Sequence, residues 1–199
     1  QYAGAVPVNG GHNAGQMLAG SLKAAILLNT EPAFDSAGGE VACQALANTD
    51  MVVTLSPFKA NMAFSDVLLP IAPFTETSGS FVNAEGRLQS FHAVVRPLGE
   101  TRPAWKVLRV LANLLNVPGF DFETSQDVLA RATNTPAGGI AEVSSVQLSN
   151  AQALLPQAAS PATGEPAVAS IYQLDGIVRR ATSLQLTADA RRTQEGAAA

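Results

Sequence analysis

Of 199 residues, one is cysteine and two are histidine, and that scarcity removes several kinds of chemistry at once. A lone thiol cannot close an intrachain disulfide, and it cannot hold an iron–sulfur cluster built from this chain alone. Cys43 lies among Val41, Ala42, Ala45 and Leu46 and is expected to be a small buried apolar residue. His12 and His92 stand far apart, neither with a second ligand at metal-binding spacing, so no metal site is expected in this chain. Cationic charge is also short: 12 Lys and Arg against 16 Asp and Glu give a net charge of −4, which argues against a nucleic-acid partner. No apolar run approaches the ~20 residues of a bilayer span, and no signal peptide opens the chain, so direct membrane insertion is not expected. The chain opens at Gln1 without an initiator Met and is expected to be a fragment of something longer. Phosphate-loop, dinucleotide-loop and His-Glu-x-x-His motifs are missing, and no serine has nucleophile-elbow surroundings.

What is present reads as a globular α/β chain, 47% hydrophobic and 14% charged. Residues 1–20, rich in glycine, are expected to be a loop or broken helix. The apolar run 22–28 predicts a buried parallel strand ending at Asn29-Thr-Glu-Pro. Spacing predicts a helix over 38–48 with Val41, Ala42, Ala45 and Leu46 on one face, a strand over 51–55, a helical turn over 59–64 and a third strand over 67–71. This is the rhythm of a doubly wound, mostly parallel sheet with flanking helices. Segments 80–82 and 88–95 then flank Asn83-Ala-Glu-Gly86 and predict a hairpin or extended excursion. A helix over 103–116 has Pro103 in its first turn, and Val107, Leu108, Leu111, Leu114 and Leu115 on one side. A shorter helix follows over 125–132. The domain division is therefore an α/β domain over 1–132, an Ala/Pro/Gly-rich linker over 133–169, and a C-terminal helix with a frayed tail over 170–199. Ile171, Leu174, Val178 and Ala181 supply the helix's periodicity, and 188–199 the frayed end.

Ligands of open α/β sheets bind at the carboxyl edge. The loops 29–35, 56–58 and 70–80 and the turn 83–87 are expected there. Asn29, Glu31, Glu76, Asn83, Glu85 and Arg87 of these loops, with Asp66 just before the third strand, form the candidate cofactor-binding set, and Arg87 could grip a phosphate or carboxylate with both arms of its fork. Each also has a purely structural role open to it: Gly79 and Gly86 for backbone angles, Asp66 for a local cap, Glu85 and Arg87 to tie the hairpin to the sheet.

Ser65-Asp66-Val-Leu-Leu-Pro70, Glu76-Thr-Ser-Gly79-Ser-Phe-Val-Asn83 and Glu85-Gly-Arg-Leu-Gln89 together resemble the molybdopterin oxidoreductase domain. That domain is shared by formate dehydrogenases, nitrate reductases and the large iron–sulfur subunit of respiratory complex I. The stretch Phe91 to Leu111, the Leu27-Leu-Asn-Thr-Glu-Pro32 turn and the tail Ile171 to Gln185 are similar to the C-terminal part of the last of these, in bacterial NADH–quinone oxidoreductase. The resemblance implies a parent subunit with iron–sulfur clusters in its missing N-terminal part, passing electrons from NADH through flavin to quinone. It implies no catalytic residue, metal or cofactor in this chain, and the seven candidate residues as a vestigial cradle. The implied partners are the remainder of the same subunit and other peripheral-arm subunits, on the cytoplasmic face of the bacterial inner membrane. A different reading makes the chain the cofactor-binding part of a molybdopterin guanine dinucleotide enzyme such as formate dehydrogenase. Loops 29–35, 56–58 and 70–89 would then grip the cofactor, with Asp66, Asn83 and Arg87 foremost.

Overall fold

The computed structural model describes residues 12–20, 22–83, 87–133 and 170–197, and the architecture is α/β. The glycine-rich opening up to residue 11, Glu85 and Gly86, and the expected linker from 134 onward lie outside those residues. A short helix α1 (Ala14–Ala19) is closed at its start by a reciprocal cap. Asn13 accepts from the Gln16 amide at 2.9 Å, and Gln16 accepts from the Asn13 amide at 3.0 Å.

Three parallel strands follow, β1 (Ala24–Leu28), β2 (Met51–Ser56) and β3 (Val67–Pro70), in spatial order β1-β2-β3. Two helices join β1 to β2, α2 (Pro32–Asp35) and α3 (Glu40–Ala47), and a 3-10 turn at Ala60–Ala63 joins β2 to β3. The middle strand carries the core: Val52, Thr54 and Leu55 are fully buried, as is Leu46 of α3. Buried Thr54 is satisfied by Ser65, the two hydroxyls 2.7 Å apart.

Two apolar surfaces depart from expectation. Strand β1 alternates between exposed and half-buried positions instead of being covered on both faces, with Ile26 at 57% and Leu28 at 45% exposure. It is an edge strand here, so only one neighbour and one face shield it. On α3, Ala42 and Leu46 are buried one turn apart, while Val41 points outward at 70% exposure. Cys43 is half-buried in α3. Burial first, then the Glu40 carboxylate, raise its thiol pKa, against an opposing hydrogen bond with the Ala33 backbone, and the net rise favours the protonated thiol.

The excursion after β3 is an antiparallel hairpin of β4 (Gly79–Val82) and β5 (Leu88–Phe91), with Phe81 and Phe91 stacked 5.4 Å apart. A Cβ at Gly79 would sit 2.8 Å from the Phe91 ring, so any other residue there would displace that ring. The chain returns past Thr75, whose carbonyl accepts from Val94 and Val95, and re-enters beside β3 where Ala72 donates to Arg102. Helix α4 (Ala104–Leu114) starts just after Pro103, which occupies the cap and not the first turn. It ends in a left-handed Asn116 with Val117 donating back to Ala112, the hydrogen-bond pattern of a Schellman stop. Its expected apolar side is only partly covered, since Leu114 and Leu115 are 75% and 65% exposed. Arg109 donates to the Phe122 carbonyl and ties α4 to the segment before α5 (Ser125–Thr133).

The C-terminal region differs most from expectation. The spacing of Ile171, Leu174, Val178 and Ala181 does not make one continuous helix. Asp175 turns the chain by accepting from Ile177 and Val178 at 2.8 and 3.0 Å, and only a 3-10 turn (Val178–Arg180) and the four-residue α6 (Thr182–Gln185) follow. Ile171 and Leu174 stand 70% and 57% exposed. Residues 188–197, expected to fray, form α7 (Ala188–Ala197), with Ala190 fully buried as its anchor.

Candidate functional site

All three parallel strands deliver their carboxyl ends to one edge, and a cavity of about 170 Å³ lies there. Asn29 follows β1, Ser56 ends β2, Phe58 and Phe74 stand on the next loops, and Glu31 and Arg179 complete the wall. Asn29 adopts φ +49°, a conformation that asparagine tolerates better than most side chains, and its amide extends the ladder to the Leu55 carbonyl at 2.8 Å. That turn swings Thr30 and Glu31 across the sheet edge. Two bonds then fix them: buried Asn61 donates to the Thr30 carbonyl at 2.9 Å, and Asp35 accepts from the Glu31 amide at 2.7 Å. Pro32 opens α2 directly behind, so Glu31 has little freedom. Replacing Asn61 by alanine is expected to cost about 1–3 kcal/mol in urea unfolding, since it leaves the part-buried Thr30 carbonyl without its donor.

Into this edge comes the C-terminal segment. Arg179 Nε lies 3.2 Å from Glu31 Oε2 and Arg179 Nη2 lies 3.1 Å from Asp35 Oδ1, while Arg180 Nη2 lies 2.7 Å from Glu31 Oε1. The Glu31 and Arg179 side chains are only 5% and 6% exposed. The Glu31 contacts are charge contacts and not aligned hydrogen bonds, whereas Arg179 Nη1 also donates to the Gln173 carbonyl at 2.6 Å. Each guanidinium covers an aromatic face, Arg179 over Phe34 at 4.6 Å and Arg180 over Phe58 at 3.8 Å. Ser56 Oγ is engaged by the Phe58 amide at 3.0 Å, and among the described lining residues there is no histidine, lysine or cysteine. The arrangement holds a cation; it does not pair a nucleophile with a base.

Of the seven candidate residues, the structure brings Asn29 and Glu31 to this cavity. Asp66 lies at the opposite, amino edge, where its carboxylate accepts from Val52 at 2.7 Å and its amide donates to the Val52 carbonyl at 2.9 Å; it joins β2 to β3. Glu76 accepts from the Leu98 amide at 2.9 Å and staples the returning chain. Asn83 and Arg87 close the hairpin, Asn83 Oδ1 accepting from the Arg87 amide at 2.8 Å and the Asn83 amide donating to the Arg87 carbonyl at 3.0 Å. Glu85 lies outside the described residues. Phe34, Asp35 and Phe58 lie in loops expected at this edge but were not among the seven candidates, and Arg179 and Arg180 were expected in the C-terminal helix and not here. The one signal for the last two was a basic doublet in an acidic chain.

Residues 3–114 match the family model described as Molybdopterin oxidoreductase, more than half of the chain. The chain belongs to the molybdopterin oxidoreductase family. Relatives of this family member include two proteins named "Putative formate dehydrogenase", both from Staphylococcus aureus. One, from strain bovine RF122 / ET3-1, is 38% identical over 100 residues, and one from strain USA300 is 35% identical over 100 residues. Both alignments cover 47% of this chain and 10% of the relative, so the chain spans about a tenth of the length of the curated relatives it matches. Among solved structures, acetylene hydratase from Pelobacter acetylenicus aligns with a TM-score of 0.49 and 23% identity, over 63% of this chain and 17% of that one.

The family implies a pterin cofactor, whose dinucleotide form carries a pyrophosphate. The residues at the carboxyl-edge cavity do not fit that group. Glu31, Asp35 and Asp175 put three carboxylates in the lining, and among the described lining residues Arg179 is the one cation, already paired. An anion there would meet repulsion where it needs donors. A volume of about 170 Å³ is also below the ~300 Å³ at which small-molecule pockets begin.

Proposed function

We propose that this chain is part of a redox-enzyme subunit of the formate dehydrogenase type, to which it supplies a wall of the α/β scaffold and not the grip on the cofactor. The observation that carries this reading is the family match over residues 3–114 together with the name carried by the relatives. In this reading Asn29 and Glu31 shape the sheet edge, and Glu76, Asn83 and Arg87 hold the hairpin excursion in place. The partner is the remainder of the same subunit, docked on apolar surface that this chain leaves uncovered. An open groove of about 800 Å³ runs along α4 beside Leu69, Val107, Val110 and Leu111, and supports that docking. Among the described residues no helix is long and apolar enough to cross a membrane.

A second reading is favoured by one observation, the filling of the crevice by the chain's own arginines. It makes the chain a cofactor-free module of the large iron–sulfur subunit of NADH–quinone oxidoreductase, in the peripheral arm on the cytoplasmic face of the bacterial membrane. All seven candidate residues are then fold residues.

Metal analysis of the purified intact subunit separates the two. Stoichiometric molybdenum or tungsten is expected under the first reading. Iron alone, with NADH-dependent quinone reduction by the assembled complex, would replace it by the second.

A further inference from the structure

We propose that Gln173–Arg180 is a strap seated in the carboxyl-edge crevice, held by a guanidinium-selective site that this chain builds from Glu31, Asp35, Phe34 and Phe58. The inference goes beyond either functional reading and holds under both.

Three independent contacts converge on the strap. Buried Arg179 bridges Glu31 and Asp35, and its Nη1 holds the strap's own Gln173 carbonyl, so the same guanidinium folds the strap and docks it. Arg180 reaches Glu31 with Nη2 and the Gly176 carbonyl at 2.7 Å with Nη1, while its Cζ lies over the Phe58 ring, 3.8 Å from the centroid. Gly176 lies against the same ring, where an added Cβ would stand 3.0 Å from Phe58 Cε2. A planar cation that spans two carboxylates and stacks on an aromatic face matches guanidinium geometry, which an ammonium does not reproduce. Both Glu31 oxygens are buried without an aligned hydrogen bond, so the guanidinium charges are what offsets their desolvation. The site therefore selects a cationic occupant, and an anionic ligand such as a pyrophosphate tail is shut out whether the strap is seated or lifted.

Hydrogen exchange on the full chain tests this. In Arg179→Ala/Arg180→Ala, peptides covering 170–186 and 29–35 should exchange at least about ten-fold faster, with 51–56 unchanged, because a local unit opens without the core. Millimolar ethylguanidinium should restore protection at 29–35, and inorganic pyrophosphate or ethylammonium should not. Gly176→Val, which leaves every charge in place, should open 170–186 in the same way by displacing Phe58. Unchanged exchange over 170–186 in both variants would overturn the strap. Protection by pyrophosphate equal to or greater than that by ethylguanidinium would overturn the selectivity.

Discussion

Replacing Glu31 by alanine is expected to cost about 3 kcal/mol of unfolding free energy, among the largest effects of any single charge removal in this chain. Breaking a buried pair by deleting one partner typically costs ~3–5 kcal/mol, because the surviving charge stays desolvated without compensation. Arg179 is the surviving charge, with its side chain 6% exposed. It keeps Asp35 as a second partner at 3.1 Å, which places the expectation at the lower end of that range. Arg180 is 36% exposed and can turn to water, so Arg180→Ala should cost at most about 1 kcal/mol. The Arg102–Glu100 pair, with side chains 55% and 94% exposed, should be nearly silent when either partner is removed. Urea unfolding of these variants at constant slope gives the ranking. A Glu31→Ala cost no greater than that of Arg180→Ala would contradict the buried cluster.

The second large effect is expected at Leu55. Truncation to alanine should cost about 2–5 kcal/mol, the span for leucine-to-alanine changes in a well-packed core. Leu55 is fully buried on the central strand, and its carbonyl accepts from Asn29 at 2.8 Å, so a cavity there also loosens the turn that carries Glu31. The buried apolar core among the described residues is small, with Leu46, Val52, Leu55 and Ile71 and otherwise only alanines, which leaves few neighbours able to collapse into the void. Val110→Ala on α4, where the side chain is 52% exposed, should fall within about 0.5 kcal/mol and serves as the control. A Leu55→Ala cost as small as the control would mean that β2 is not the centre of the fold.

Local periodicity made most of the α/β order legible from the residues. The runs at 22–28, 51–55 and 67–71, the two strands on either side of 83–87 and the proline-flanked α4 each carry their signal locally, and each element lies close to where that signal placed it. Exposure was less legible. Ile26, Leu28 and Val41 are apolar residues in correct elements, but their coverage depends on neighbours that periodicity does not name. At the tail, three- and four-residue spacing gave the wrong element because Asp175-Gly176 starts a turn whose side-chain cap competes with the helix. The candidate site divided for a related reason. Asn29 and Glu31 were locatable because a polar turn after an apolar strand must emerge at the carboxyl edge. Asp66 precedes its strand by one residue and so emerges at the other edge. Nothing local could pair Arg179 with Asp35, since 144 residues separate them.

The carboxyl-edge crevice of this family member is filled by its own arginine doublet. A double-mutant cycle between Glu31 and Arg179, each changed to alanine singly and together in the full chain, measures it most directly. A coupling of about 1–3 kcal/mol is expected, because in the double variant neither charge is left buried alone. Costs that add to within about 0.5 kcal/mol would show that the two side chains do not meet, and would contradict the account.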